Sequence, residues 1–267
     1  MTLAQVGEIE LDYDRAGAGE PLLAIMGMSG TKVHWGQPFL ESLRRDFELV
    51  VYDHRGVGSS SRLHGPLTIA QLAQDAARLL DALELHSAHV LGISMGGMVA
   101  QELALAHPEK IRTLTLGCTY CGGDGSALAS QDVMSRLAEA MTSGDRQRAI
   151  RTAWEVNVSP AFADDHDAFA RFLDLGLHNA VPVDVIMAQM QAIMGHNTAA
   201  RLPSIALPTQ VLHGTVDQML PVQNARQIAS LIPDARLEIF DHVGHLFFWE
   251  RPEPSAELLR AHAAVHA

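Results

Sequence analysis

A strand, a tight turn and a helix follow one another around Ser94, and this arrangement restricts the fold of the whole chain. His89–Ile93 is an apolar stretch typical of a buried strand, and helical spacing begins directly after Gly96. Glycines at Gly92 and Gly96 leave room for a crowded turn that pushes the serine hydroxyl out of the sheet. The amide end of the following helix favours negative charge beside that hydroxyl. The motif therefore predicts a nucleophilic serine at a strand–helix junction.

Strand and helix patterns alternate on both sides of this turn. Residues 2–15 alternate in polarity around Gly7, which predicts an antiparallel hairpin at a sheet edge. Apolar runs predict buried strands at Pro21–Met28, Glu48–Asp53, His89–Ser94, Ile111–Cys118, Thr209–His213 and Arg236–Phe240. Helical patterns between these runs predict an α/β fold, with a mostly parallel central sheet and helices on both faces. Ligands of such sheets bind at the carboxyl ends of the strands, where Ser94 lies.

The alternation stops between residues 122 and 201, where only helical patterns are found. Capping residues and prolines predict four helices near residues 130–143, 146–157, 160–177 and 182–195. We interpret residues 122–201 as a helical cap, or lid, inserted over the active edge of the sheet. The core domain then consists of residues 1–121 and 202–267.

A serine hydroxyl needs a base to take its proton, and that base needs a carboxylate to fix its tautomer. His245 follows the last predicted strand, after a glycine that permits a turn, and is our candidate base. His242 is its nearest competitor, but it comes directly off the strand end. Asp217 lies just beyond the preceding strand and is the candidate acid, with Asp124 as its rival.

The tetrahedral oxyanion of acyl transfer needs preorganised backbone donors. We assign one to the N–H of Met95, which follows the nucleophile, and the second to the N–H of Met28. Met28 lies in the flexible Gly27-Met28-Ser29-Gly30 turn, which ends the first apolar run and follows its strand part, Pro21–Met26. Together with Ser94, these residues predict a site for acyl transfer.

Composition narrows the classes of partner. The formal net charge of −12 argues against nucleic acid and anionic membranes as partners. The sequence has no membrane-length apolar run and no signal-peptide pattern, so we expect a cytoplasmic protein. Cys118 and Cys121 are the only cysteines, and we expect them to be ordinary reduced thiols and no metal site.

The chain order Ser, Asp, His resembles the α/β-hydrolase superfamily over nearly the whole chain apart from the cap. Three segments match its catalytic positions and one resembles its structural loop after the fourth strand: Gly92-x-Ser94-x-Gly96, His213-Gly214-x-x-Asp217, Gly244-His245, and Asp53-x-Arg55-Gly56-x-Gly58-x-Ser60. Within the superfamily the chain is similar to small cofactor-free bacterial serine hydrolases. This group includes enol-lactone hydrolases, non-haem haloperoxidases and aclacinomycin-methylesterase-like enzymes. One departure is Met26, which stands where the family usually has histidine.

The resemblance implies an α/β-hydrolase fold, no cofactor, and hydrolysis of a carboxylic ester or lactone through an acyl-enzyme on Ser94. We expect a small to medium, mainly apolar substrate, whose pocket candidates are Gly27, Met26, Trp154, Met187, Met190, Met194, Met219 and Leu246. Two alternatives are a C–C bond hydrolase with the same triad and a non-catalytic, ligand-binding member of the fold. The sequence leaves the natural substrate, its stereochemistry and homo-oligomer formation open.

Overall fold

An eight-stranded sheet forms the centre of the computed structural model, which describes residues 1–266. The chain begins with an antiparallel hairpin of β1 (Thr2–Val6) and β2 (Ile9–Ala16), as the alternating pattern predicts. Six mutually parallel strands follow: β3 (Glu20–Ile25), β4 (Phe47–Tyr52), β5 (Ala88–Ile93), β6 (Ile111–Gly117), β7 (Thr209–Gly214) and β8 (Arg236–Phe240). The spatial order is β1-β2-β4-β3-β5-β6-β7-β8, with β2 antiparallel to β4. The predicted α/β class with a mostly parallel sheet is confirmed.

Eleven α-helices connect or flank these strands within residues 1–266. They are α1 (Gln37–Arg44), α2 (Ile69–Ala82), α3 (Met95–Ala106), α4 (Gln131–Thr142), α5 (Arg146–Asn157), α6 (Pro160–Ala163), α7 (His166–His178), α8 (Val183–Met194), α9 (Gln223–Leu231), α10 (Phe247–Glu250) and α11 (Pro252–Val265). The longest, α2 and α11, have 14 residues each. No helix in this described part of the chain is long and apolar enough to cross a membrane.

Helices cover both faces of the sheet because neighbouring residues of a strand point to opposite sides. On β3, Leu23 belongs to an apolar cluster that includes residues of α2, α3 and α9. Its neighbour Leu22 belongs to a second cluster, with residues of α1, α10 and α11. Both leucines are fully buried. A strand buried on both faces needs the continuous apolar run that the sequence supplies.

Helices α4 to α8 occupy the chain between β6 and β7, and no described residue of this stretch forms a strand. We call residues 122–201 the cap segment. Its helices follow the sequence pattern except for the helix expected over residues 160–177, which is divided into α6 and α7. The Asp165 side chain accepts a hydrogen bond from the Ala168 N–H and so begins a new helix.

Candidate active site

Ser94 lies between the end of β5 and the start of α3, in a backbone conformation that L-residues rarely adopt. Its φ is 53° and its ψ is −123°. A side-chain carbon at Gly92 would collide with the Gly96 carbonyl, and one at Gly96 would collide with the Ile25 carbonyl. Both positions therefore require glycine. The Ser94 side chain is half-buried at the carboxyl end of the sheet.

Two backbone donors lie beside Ser94. Met95 is the first residue of α3, so its N–H has no carbonyl partner within the helix. No acceptor for the Met28 N–H lies among residues 1–266. The loop that carries Met28 adjoins the serine, since a side-chain carbon at Gly27 would lie 3.0 Å from Ser94 Cβ. An oxyanion site requires two free backbone donors of this kind next to the nucleophile.

The two residues directly after β4, Asp53 and His54, form hydrogen bonds with the loop that contains Met28. The His54 ring Nε2 lies 3.0 Å from the Met26 carbonyl oxygen and donates to it. Asp53 Oδ1 accepts from the Lys32 N–H at 2.6 Å, and burial raises the pKa of Asp53 to about 6. The segment that resembles the structural loop of the family thus holds both ends of residues 26–32, which we call the oxyanion loop after the predicted role of Met28.

His245 and Asp217, which are 28 residues apart in the chain, form a buried hydrogen-bonded pair. His245 Nδ1 donates to Asp217 Oδ2 at 2.7 Å. Asp217 Oδ1 accepts from the N–H groups of Met219 and Leu220 at 2.8 and 2.9 Å, which orients the carboxylate. His213 Nε2 lies 3.0 Å from Asp217 Oδ2 and 2.7 Å from the Leu220 carbonyl oxygen.

Charge dominates the protonation of this pair. Burial alone would raise the pKa of Asp217, but the charge of His245 and hydrogen bonds from His213 and His245 hold it well below its usual range. Burial alone would lower the pKa of His245, but the Asp217 carboxylate raises it well above its usual value. A carboxylate next to an imidazole is the arrangement that stabilises an imidazolium during proton transfer.

The Cys118 thiol connects the two halves of the site. Cys118 follows β6, which lies next to β5. The residue before Cys118 is Gly117, whose carbonyl accepts a hydrogen bond from the Ser94 N–H at 3.0 Å. Burial raises the pKa of this thiol, and the nearby His245 side chain and Ser94 backbone act to lower it. Cys118 therefore lies near both the Ser94 turn and the His245 loop.

The loop that carries His245 is bonded directly to the cap segment. The Leu246 N–H donates to the Asn157 carbonyl at 2.8 Å. Glu250 accepts from the Gly244 N–H at 2.8 Å and from the N–H and hydroxyl of Ser159 at 2.8 and 2.5 Å. The buried Glu250 carboxylate thus holds the His245 loop and the start of α6 together.

The rival residues lie elsewhere. Asp124 is exposed, and its carbonyl accepts a hydrogen bond from Gln227 Nε2 at 2.8 Å. The His242 side chain is 86% exposed and has a left-handed backbone, with φ 55°. Neither is hydrogen-bonded to the His245–Asp217 pair. Ser94, Asp217 and His245 each follow the carboxyl end of a parallel strand, namely β5, β7 and β8.

The predicted pocket residues differ in burial, from fully buried to more than half exposed. Met26 and Gly27 are buried next to the Ser94 turn, and the Met26 side chain packs in the cluster of α1 and α10. Met190, Met219 and Leu246 are half-buried, whereas Met187 and Met194 are 53% and 64% exposed. A cavity of about 600 Å³ between α1 and α7 contains none of these eight side chains and is not the predicted pocket.

Trp154 is fully buried in an aromatic cluster that joins the cap segment to α10. Its ring contacts those of Phe162, Phe172 and Trp249, with centroids 5.1 to 5.8 Å apart. In this conformation its whole surface is used for packing. A direct contact of Trp154 with substrate would require the cluster to open.

Sequence reasoning did not assign His213, Cys118 or Glu250 to the site. His213 belongs to the same motif as Asp217. Its position near the carboxyl end of β7 indicates that it lies close to the site. Cys118 likewise directly follows a strand, β6, that lies next to β5. Glu250 had no such signal, because its partners in the cap segment depend on how distant loops meet. Within residues 1–266, no three His, Cys, Asp or Glu side chains are placed to hold a metal ion.

Comparison with known proteins gives consistent matches. A family model described as the alpha/beta hydrolase fold matches residues 20–252. The chain is 30% identical over 260 residues to "Putative carbamate hydrolase RutD" of Azorhizobium caulinodans, with 97% of each chain covered. It is 30% identical to rhodomycin D methylesterase DnrP of Streptomyces peucetius, with 92% of this chain and 91% of that protein covered. The crystal structure of the enol-lactonase from Burkholderia xenovorans LB400 superposes with a TM-score of 0.84 at 25% identity, covering 98% of this chain and 100% of the other.

Proposed function

Because the chain belongs to the α/β-hydrolase family, we propose that it is a serine hydrolase that cleaves a carboxylic ester or lactone. Ser94 is the nucleophile, His245 the general base and acid, and Asp217 the carboxylate that orients His245. The N–H groups of Met28 and Met95 hold the oxyanion. The observation that carries this proposal is the buried 2.7 Å hydrogen bond between His245 and Asp217, and the strained turn of Ser94 supports it.

The reaction proceeds in two halves. Ser94 Oγ attacks the ester carbonyl carbon while His245 Nε2 accepts the hydroxyl proton. The carbonyl oxygen becomes an anion held by the Met28 and Met95 N–H groups. As the tetrahedral intermediate collapses, the carbon–oxygen bond to the alcohol breaks and His245 returns the proton to that alcohol. Water then attacks the acyl-enzyme with help from His245, and the acid leaves.

The surroundings of Ser94 favour a mainly apolar acyl or alcohol group. Met28, Met219 and Leu246 are half-buried apolar side chains that belong to the loops of the site. Two of the relatives carry the names methylesterase and enol-lactonase, and a third is named a carbamate hydrolase. A carbamate presents the same carbonyl to the serine, so it belongs in the substrate panel. Hydrolysis restricted to charged acids would contradict an apolar pocket.

Replacement of the nucleophile tests the proposal. Ser94→Ala should lower kcat on p-nitrophenyl butyrate by roughly 10⁴-fold or more and abolish labelling by a fluorophosphonate, because no other group can form the acyl-enzyme. The matched control is Ser230→Ala, an exposed serine on α9, which should retain full activity. Near-native hydrolysis by a folded Ser94→Ala protein would overturn the assignment. A wild-type protein that neither hydrolyses esters nor is labelled would overturn the function.

A further inference from the structure

Helix α8 of the cap segment lies against the loops of the active edge with one face. Val185 is buried with Val57 and Val181, beside the loop after β4. Ile193 is buried at the other end, where its carbonyl accepts a hydrogen bond from the Tyr120 hydroxyl at 2.7 Å. Residues four positions apart lie on one face of a helix. Gln189 lies midway between these two anchors and therefore also points towards the core.

Gln189 is a polar residue at a position that the helical pattern reserves for apolar ones. It is completely buried, and its side chain reaches the oxyanion loop. The Ser29 N–H donates to Gln189 Oε1 at 2.9 Å, across 160 residues of sequence. Because the loop supplies a donor, the oxygen must be the amide atom that faces it. Within residues 1–266 the Nε2 of Gln189 has no partner. A buried unpaired donor costs stability, so packing alone does not account for this glutamine.

The hydrogen bond between Ser29 and Gln189 lies one residue from the Met28 N–H, the proposed oxyanion donor. Ser29 follows Met28 and has a left-handed backbone, with φ 58°. A serine in this conformation is strained and needs surrounding contacts to hold it. His54 holds the Met26 carbonyl from the core side, the Gly30 N–H closes the turn onto the Gly27 carbonyl at 3.4 Å, and Gln189 holds Ser29 from the cap side. Loss of the Gln189 bond would free the backbone torsions of Met28 and Ser29. The turn would then shift as a unit, and the Met28 N–H, which belongs to the preceding peptide, would move away from the oxyanion.

We propose that Gln189 is a positioning residue, through which the cap segment holds the Met28 N–H in the orientation that stabilises the oxyanion. This inference rests on the proposed serine hydrolase function. Helix α8 then contributes to stabilising the transition state, in addition to the substrate-covering role expected of a cap helix. Gln189 does not touch the reacting atoms and acts through the Ser29 backbone.

The test compares Gln189→Met with wild type. Methionine has nearly the same length and volume but accepts no comparable hydrogen bond. We expect kcat for p-nitrophenyl butyrate to fall about ten- to a hundredfold, since small misplacement of a catalytic group has effects of this size. KM should change less than twofold. The affinity for a trifluoromethyl ketone, whose adduct with serine carries an oxyanion, should fall by the same factor as kcat.

Two further variants keep the result interpretable. Gln191→Met changes an exposed glutamine on the same helix and should behave as wild type. Gln189→Asn retains the amide but is too short to reach Ser29, so it should reproduce the loss if Gln189→Met unfolds. Thermal melting of each variant reports whether the fold is intact.

Each outcome bears on a different claim. A folded Gln189→Met or Gln189→Asn protein with wild-type kcat and inhibitor affinity would overturn the positioning role, while the serine hydrolase function stands. A change in KM alone would also overturn it, because Gln189 would then act on substrate binding. If wild type itself shows neither ester hydrolysis nor labelling by a fluorophosphonate, the underlying function fails, and the positioning role with it.

Discussion

The sheet core and the cap segment are held together by different kinds of contact. In the core, the strands are buried on both faces and their large apolar side chains are almost completely enclosed. In the described part of the chain, six of the nine exposed large apolar side chains lie between residues 128 and 194. They are Leu128, Met134, Met141, Val183, Met187 and Met194. The cap segment is therefore less completely packed than the core.

Polar contacts with the two loops that carry the catalytic candidates compensate for the incomplete apolar packing of the cap segment. Gln189 contacts the oxyanion loop through Ser29, and the chain around Ser159 contacts the His245 loop through Glu250. The catalytic candidates thus lie in loops that follow strands of the sheet, and these loops are also hydrogen-bonded to residues of the less tightly packed region. Changes in the core should remove groups that take part in the chemical step, and changes in the cap segment should alter the orientation of those groups or the choice of substrate.

The sharpest test on the core side is Asp217→Asn. An amide cannot stabilise the imidazolium and permits the wrong tautomer of His245, so kcat should fall by roughly 10⁴-fold. The carboxylate raises the pKa of His245. Its removal should therefore lower that pKa and move the acid limb of the activity profile to lower pH, because His245 must be neutral to accept the proton. Asp124→Asn, at the exposed rival, should leave both kcat and the pH profile unchanged.

The next effect is expected at the junction of the two regions. Glu250→Gln removes charge-assisted hydrogen bonds to Gly244 and Ser159, so the free energy of unfolding should fall by about 1–3 kcal/mol. The His245 loop is then held to the cap segment mainly by the Leu246–Asn157 hydrogen bond, and kcat should fall about tenfold. Denaturant unfolding and ester kinetics measure both. Glu257→Gln, at an exposed position on α11, is the control, and equal behaviour of the two variants would contradict the tie.

Stability should depend on pH through one histidine at the end of the cap segment and one in the core. Burial lowers the pKa of His196 and of His262 from 6.5 to about 4. Between these values the unfolded chain binds more protons than the folded one, so stability is complete above pH 6.5 and is lost as the pH falls towards 4. Each histidine contributes up to about 1.4 kcal/mol per pH unit in this window.

His196→Gln and His262→Gln should each flatten this dependence, as measured by denaturant unfolding between pH 4.5 and 7.5. His64→Gln, at an exposed position, should not. A pH dependence that only His262→Gln reduces would show that the cap segment unfolds separately from the core.

The smallest effect is expected on the outer surface of the cap segment. Met187 is 53% exposed, so Met187→Ser should change the free energy of unfolding by less than about 0.5 kcal/mol. If Met187 lines the route of substrate, KM for long acyl esters should rise a few-fold and KM for acetate should not. Met141→Ser, at 51% exposure on α4, is the matched control. Identical kinetics of both variants would remove Met187 from the pocket.

The sequence was most informative where structure is decided by neighbouring residues. The Ser94 turn could be predicted because its backbone tolerates only glycine at Gly92 and Gly96, and the strands because continuous apolar runs are needed for burial on both faces. His245 and Asp217 are predicted partners because parallel strands end at the same edge, and the structure joins the two side chains by a hydrogen bond, while their catalytic roles stay a prediction. The division of the helix expected over residues 160–177 was missed, since the Asp165 cap competes locally with a continuous apolar pattern.

The roles of cap residues could not be read from periodicity. A helical stripe shows which residues share a face, but it does not show what that face meets. Trp154 fits a pocket wall and a packed cluster equally well in sequence, and the structure places it among Phe162, Phe172 and Trp249. Met187 and Met194 share the apolar pattern of α8, yet they point outwards while Gln189 points inwards.

By itself the sequence determined the order of strands and helices, the α/β class and the identity of the residues at each strand end, because these depend on local backbone limits and apolar periodicity. Only the tertiary structure decided that Cys118 lies beside His245, that Glu250 joins two loops and that Gln189 meets Ser29. Such contacts join segments up to 160 residues apart. These contacts depend on the order of the strands and on where the cap segment packs against the core. Both are determined by packing across the whole molecule.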